Sequence, residues 1–151
     1  MVALKTIENF MNNKNIAVIG TSKNKKKFGY IVFKKLLKNN FNVYPVNPGL
    51  EEIEGVKCYP DVQSLPKEVK GVVFVTQPEI TDKITKQLRS MENIEYLWYQ
   101  PGSVDSATID AERQFDKNII DGECILMYLE PSTFPHSLHG FFKKVFGKYP
   151  K

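Results

Sequence analysis

Residues 15–48 read NIAVIGTSKNKKKFGYIVFKKLLKNNFNVYPVNP, and the architecture follows from them. They open on Ile16–Ala17–Val18–Ile19, an apolar run with the length and β-branched content of a buried strand. The run stops at Gly20, and Thr21 and Ser22 follow. A strand that ends in glycine and small hydroxyl residues before a helix lets the backbone come close to a ligand. It also aims free N–H groups at that ligand, where the helix dipole favours negative charge. Lys23, Lys25, Lys26 and Lys27 then crowd positive charge beside the turn. From Phe28 to Asn39 the spacing is helical, with Val32, Phe33, Leu36 and Leu37 on an apolar face and Lys34, Lys35 and Lys38 on the other. Asn39–Asn40 is a stop, and residues 42–47 return as a second strand. The whole is a β-α-β unit whose first turn suits a phosphorylated ligand.

Spacing narrows the ligand. The dinucleotide fingerprint is G-x-G-x-x-G, with an acidic residue near the end of the second strand to hold a ribose hydroxyl. Here the turn reads Gly20–Thr21–Ser22, the next glycine is Gly29, and no carboxylate follows the second strand until Glu51. An unphosphorylated ribose lacks its usual partner, whereas the lysines suit an extra phosphate. NAD is disfavoured; NADP or coenzyme A fits better.

Four motifs in order, I-G-T-S at 19–22, V-Y-P-V-N-P at 43–48, K-C-Y-P at 57–60 and W-Y-Q-P-G at 98–102, carry a resemblance. With the lysine-rich segment, they make the chain similar to the small bacterial CoA-binding domain proteins. These look like the nucleotide-binding half of succinyl-CoA synthetase α subunits, standing alone. The resemblance covers residues 15–122. It implies an α/β, Rossmann-like doubly wound fold: a mostly parallel five-stranded sheet with helices on both faces. It further implies coenzyme A or an acyl-CoA as ligand. Backbone N–H groups of Thr21 and Ser22 would meet the pyrophosphate, with their hydroxyls as added donors. One or two of Lys25, Lys26 and Lys27 would meet the 3′-phosphate or the pyrophosphate. Relatives with mixed Asn, Pro and Arg in place of the lysine run differ from this chain there.

Bulk properties agree with one globular domain, 1–151, with a core at 15–122 and a helical extension at 123–151. At 151 residues the chain can bury about two-thirds of its unfolded surface, and 42% hydrophobic with 25% charged residues argues against disorder. No apolar run reaches the roughly 18 residues of a membrane span, and the N-terminus lacks a signal peptide's apolar core. Two cysteines at unrelated positions make no disulfide framework, so a cytoplasmic location is expected. The net charge of +4 is modest, and no nucleic-acid module or membrane partner is expected.

Residues 1–14 predict a short amphipathic helix with Leu4, Ile7, Phe10 and Met11 on its face. Asn47–Pro48, at the end of the second strand, lies where a ribose or adenine edge would sit, and is equally a turn signal. Residues 51–69 read as a connection. Within it Cys58 is a structural thiol or, with an electropositive neighbour, a nucleophile. Gly71–Val75 predicts a third strand and Pro78 the first turn of a helix facing inward through Ile80, Ile84, Leu88 and Met91. The turn after this strand sits beside Gly20, so Thr76, Gln77 and Pro78 are candidates for an adenine pocket. Ile94–Tyr99 predicts a fourth strand. Gln100 then either bonds the ligand or satisfies its loop. Ser103 or Asp105 caps a helix carrying Ala107, Ala111 and Phe115 inward, and Asn118–Asp121 is a last strand. Pro135 can open a helix with an apolar stripe at Leu138, Phe141, Phe142, Val145 and Phe146, for packing on the domain or a homodimer contact. His136, His139 and Cys124 are weak evidence for a metal, and none is expected.

The expected ligand-facing set is thus Gly20, Thr21, Ser22, Lys25, Lys26, Lys27, Gly29, Asn47, Pro48, Thr76, Gln77, Pro78 and Gln100. No catalytic carboxylate pair, G-x-S-x-G elbow or P-loop is present, and nothing matches the phosphohistidine motif that the synthetases would suggest. A non-catalytic CoA-binding, carrier or sensing module is the leading expectation. The alternatives are an NADP-dependent oxidoreductase, a transferase using Cys58, and an interaction module without a nucleotide.

Overall fold

The structure, a computed structural model, describes residues 3–129. Its elements are α1 (Leu4–Asn12), β1 (Asn15–Ile19), α2 (Phe28–Lys38), β2 (Asn42–Val46), β3 (Glu52–Ile53), β4 (Val56–Lys57), β5 (Gly71–Phe74), α3 (Pro78–Leu88), β6 (Tyr96–Tyr99), α4 (Ser106–Glu112) and β7 (Asn118–Asp121). Single 3-10 turns lie at Val62–Ser64 and Ile125–Tyr128. The helix expected from Pro135, and the two histidines within it, lie outside the described residues.

Five strands form one sheet in the order β2–β1–β5–β6–β7, every neighbouring pair parallel. Successive side chains of a strand point to opposite faces, and the two cores divide on that period. Ile16 and Val18 join Val43, Val73, Trp98 and Ile120 on the face covered by α1 and α2. Ala17 and Ile19 join Val72, Phe74, Leu97 and Tyr99 on the face covered by α3 and α4. This is the doubly wound α/β fold that the sequence predicts. Chain order runs outward from β1 in one direction to β2 and in the other to β5. The carboxyl ends of β1 and β5 therefore flank the switch point, where sheets of this kind bind ligands.

Close packing fixes α1 on its face. Phe10 is fully buried, edge-on to Trp98 at 5.0 Å between ring centroids, and its ring occupies the space a side chain at Gly71 would need. The Trp98 indole N–H donates to the Glu123 carbonyl at 2.9 Å, a bond that leads the chain past residue 122 and back under the sheet. Ile125, Leu126 and Leu129 then join the α1–α2 core, so the packed domain continues beyond 122.

Four local expectations are corrected. Residues 51–57 are not plain connection: β3 and β4 make an antiparallel hairpin turned by Glu54 and Gly55, both at positive φ. Glu54 is tied to α2 by Tyr30 and by Lys34, the latter at 2.8 Å, and hydrogen bonds from these two partners hold its carboxyl below the usual range. Lys35, assigned to the solvent face, is buried, and burial lowers its pKa. On α3 Leu88 is buried as expected, and Ile84, with Met91 just beyond the helix, packs against the core, but Thr81 and Thr85 take the other fully buried positions and Ile80 is exposed. On α4 they are Thr108, Ile109 and Glu112, with Ala107 and Phe115 exposed.

Polar anchoring, not apolar periodicity, sets the rotation of α3 and α4. Thr85 shares a hydrogen bond with the Tyr99 hydroxyl at 3.0 Å, and Thr108 donates to Asp82 at 2.9 Å. Arg89 Nε meets Glu112 Oε1 at 2.7 Å, and Glu112 has no exposed side-chain area. Removing one partner of such a pair strands a buried charge. Arg89→Met is expected to cost roughly 3 kcal/mol in urea unfolding, and Arg89→Met/Glu112→Leu to recover most of it. Equal losses in the single and double variants would mean that packing, not charge, holds α4.

Gly29 sits in the first turn of α2. Replacing a helical glycine by alanine ordinarily stabilises by about 0.5–1 kcal/mol. At Gly29 a Cβ would lie 2.2 Å from the Gly20 carbonyl oxygen, which is backbone and cannot swing away. Gly29→Ala is therefore expected to lower stability by about 3 kcal/mol, roughly 6–12 °C in Tm for a chain of this size. An unchanged or raised Tm contradicts the packing described.

Candidate functional site

The site is built on the Gly20 turn. Gly20 has φ +97°, a conformation that side chains disfavour, and a Cβ there would lie 2.9 Å from Thr76 Cγ2. Val75 and Thr76, just past β5, thus press on the turn from one side and α2, through Gly29, from another. Gly29 serves the site by allowing this close approach.

Side chains around the turn are spent on holding it. Thr21 is fully buried and its hydroxyl donates to the Val18 carbonyl at 2.9 Å, so it is not the added ligand donor that the sequence suggests. Asn47 Nδ2 donates to the Thr21 carbonyl at 2.8 Å, while Asn47 Oδ1 accepts from Gly49 N at 2.8 Å. The Asn47 amide therefore ties the end of β2 to the turn. Ser22 Oγ accepts from Asn24 N at 3.0 Å, and Asn24 Oδ1 from Lys26 N at 2.9 Å. These side-chain turns shape the loop into α2 before any ligand arrives. By contrast, no hydrogen bond among the described residues takes the N–H of Thr21, Ser22 or Lys23. The backbone donors are the unspent groups.

A cleft of about 360 Å³ opens beside the turn. Gly20 and Thr76 stand at its head, Asn47, Pro48 and Val62 form one wall, and Ile80, Lys83, Ile84 and Gln87 of α3 form the other. A smaller cleft of about 200 Å³ lies on the far side of Thr76, between Phe28, Gln77, Gln100 and Ser103. Of the residues expected from sequence, Gly20, Asn47, Pro48 and Thr76 line the larger cleft and Thr76, Gln77 and Gln100 the smaller. Thr21, Ser22, Lys25, Lys26, Lys27, Gly29 and Pro78 line neither. The three lysines are exposed at the entry to α2.

Gln100 is buried, and its amide is engaged within the chain. Oε1 accepts from Ile125 N at 2.7 Å and Nε2 donates to Cys124 Sγ at 3.4 Å. Of its two expected roles, satisfying the loop is the one the structure displays. Cys58 is buried with its thiol directed to the Asn47 carbonyl at 3.8 Å, and burial pushes its pKa up. A nucleophilic cysteine needs the opposite shift. Cys124 is likewise buried and raised.

Sequence reasoning missed the α3 wall. Ile80 and Ile84 have the spacing of a core-facing stripe, and nothing in that spacing tells a core from a cleft. The available signal was Thr81 and Thr85, which share the inward face with Leu88 and leave Ile80 exposed and Ile84 at the edge of the core.

The CoA binding domain family matches residues 14–130. The alpha subunit of an ADP-forming acetate–CoA ligase II from Pyrococcus furiosus is 43% identical over 82 residues, 54% of this chain and 17% of that protein. An ADP-forming acetate–CoA ligase from Methanocaldococcus jannaschii is 35% identical over 74 residues, 49% of this chain and 10% of that protein. The match is thus a small part of either ligase. Among solved structures, a conserved hypothetical protein from Pyrococcus furiosus superposes with TM-score 0.73 at 37% identity, covering 76% of this chain and 98% of that one. A hypothetical protein from Pyrococcus horikoshii gives 0.74 at 28% identity, covering 81% and 85%. With the family matched across 14–130, the chain belongs to the CoA binding domain family.

Proposed function

We propose that the chain binds coenzyme A or an acyl-CoA at the Gly20 turn, as a binding, carrier or sensing module and not as a catalyst. The observation that carries this reading is the turn itself. It stands at the switch point between β1 and β5, and the N–H groups of Thr21, Ser22 and Lys23 are unspent among the described residues. Rigid N–H donors at a strand–helix junction suit a pyrophosphate, and the apolar cleft beside them suits an adenine. The exposed lysines at 23–27 add a positive field that draws in a polyanion. Family membership supports coenzyme A over a nicotinamide dinucleotide.

The ligases it resembles carry this stretch as a small fraction of a longer chain. That supports reading it as the CoA-holding portion of such chemistry. The buried, raised thiol of Cys58 argues against a thioester-forming nucleophile at this site.

Thermal unfolding with CoA, acetyl-CoA, NAD and NADP tests the proposal. CoA at about 100 times its dissociation constant is expected to add about 2.7 kcal/mol, roughly 5–10 °C in Tm, with no shift from the nicotinamides. Lys25→Gln/Lys26→Gln/Lys27→Gln is expected to leave the unliganded Tm within about 2 °C and to weaken CoA at least about threefold, more so at low salt. A shift with NADP alone overturns the ligand, and no shift with any of the four overturns the site.

A further inference from the structure

The lysine run offers many candidates for the 3′-phosphate that distinguishes CoA from its dephospho form, but the cleft contains none of them. Lys25, Lys26 and Lys27 are exposed at the entry to α2 and line neither cleft. The larger cleft opens between α3 and the end of β2. A phosphate on an adenosine lying in that cleft needs a cation from the cleft's own walls.

Those walls supply one. Lys83 is the cation lining the cleft, set between Ile80 and Ile84 on α3. The neighbouring cations at that end of the chain's third helix are already committed. Lys86 pairs with Asp82 at 3.0 Å and Arg89 with Glu112 at 2.7 Å. Lys83 is exposed and makes no ion pair among the described residues. On the opposing wall Asp61 is the carboxylate, and its Oδ1 accepts from Ser64 N at 3.0 Å. An acceptor there suits the amine or hydroxyl donors of adenosine and repels a phosphate, so the phosphate is directed to the α3 wall. Ile80, half exposed at 50%, gives that wall an apolar surface for the base.

We propose that Lys83 reads the 3′-phosphate of CoA and sets the preference for CoA over 3′-dephospho-CoA, leaving the lysines at 25–27 to act on the pyrophosphate. The inference rests on the CoA reading above.

Calorimetric titration of both ligands into the parent, Lys83→Gln and the 25–27 triple variant tests it. The parent is expected to bind CoA about tenfold more tightly than dephospho-CoA, the worth of one charge-assisted contact. Lys83→Gln is expected to bring that ratio near one, acting on CoA and sparing dephospho-CoA, and Lys83→Arg to restore part of it. The triple variant is expected to weaken both ligands by a similar factor and preserve the ratio. A ratio unchanged in Lys83→Gln, or one that collapses only in the triple variant, overturns the assignment to Lys83 while leaving CoA binding standing. Binding of neither ligand to the parent overturns the CoA reading and this inference with it.

Discussion

The arrangement depends on one contact between two pieces of backbone. Helix α2 begins so close to the Gly20 turn that only hydrogen at Gly29 fits under the Gly20 carbonyl. That contact fixes the direction in which the chain leaves β1, and Thr76 closes the other flank. With the Gly20 carbonyl packed against α2 and the Thr21 carbonyl bonded by Asn47, the turn keeps the N–H groups of Thr21, Ser22 and Lys23 unspent among the described residues. A phosphate-binding turn needs that polarity. Here it is obtained by steric fit and not by a cation placed in the turn.

The second constraint is the rotation of α3. An amphipathic helix on a sheet normally turns its branched aliphatic residues inward. Here two threonines and Leu88 take the inward face, with Thr76 hydrogen-bonded to Thr81 at 2.6 Å and Thr85 to Tyr99. These bonds satisfy buried hydroxyls and leave Ile80 exposed at the opening between α3 and β2, while Ile84 packs on the core and also lines the cleft. The two isoleucines give that wall its apolar surface. Buried polar anchors thus determine the site's shape, and exposed apolar residues determine its character.

Most of the architecture was legible from residues 15–48, because a β-α-β unit has strong local signals. A four-residue apolar run, a glycine stop and a helical stripe recur with little ambiguity, and each later strand shows the same short run. Positions whose roles come from tertiary contacts were harder to read. Lys35 has the spacing of a solvent-facing residue and is buried; Phe115 has the character of a core residue and is exposed beside Arg89. The Glu112–Arg89 pair that turns α4 joins residues 23 apart in sequence, and no periodicity announces it. At the site, Gly20, Asn47 and Thr76 were legible from strand ends. Lys83 was not, because a lysine on an amphipathic helix looks like any other solvated lysine until the opposite wall is known.

In the proposed complex the ligand's phosphates meet the backbone of the Gly20 turn while its adenosine lies along α3. Amide NMR of the labelled protein during a CoA titration follows both contacts at once. The largest saturable shifts are expected at the N–H groups of Thr21, Ser22 and Lys23, with a second set at Ile80–Ile84 and Asn47. Saturable shifts confined to residues remote from the turn, such as the Arg89–Lys117 end of the sheet, with the 21–23 amides unmoved, would contradict this placement.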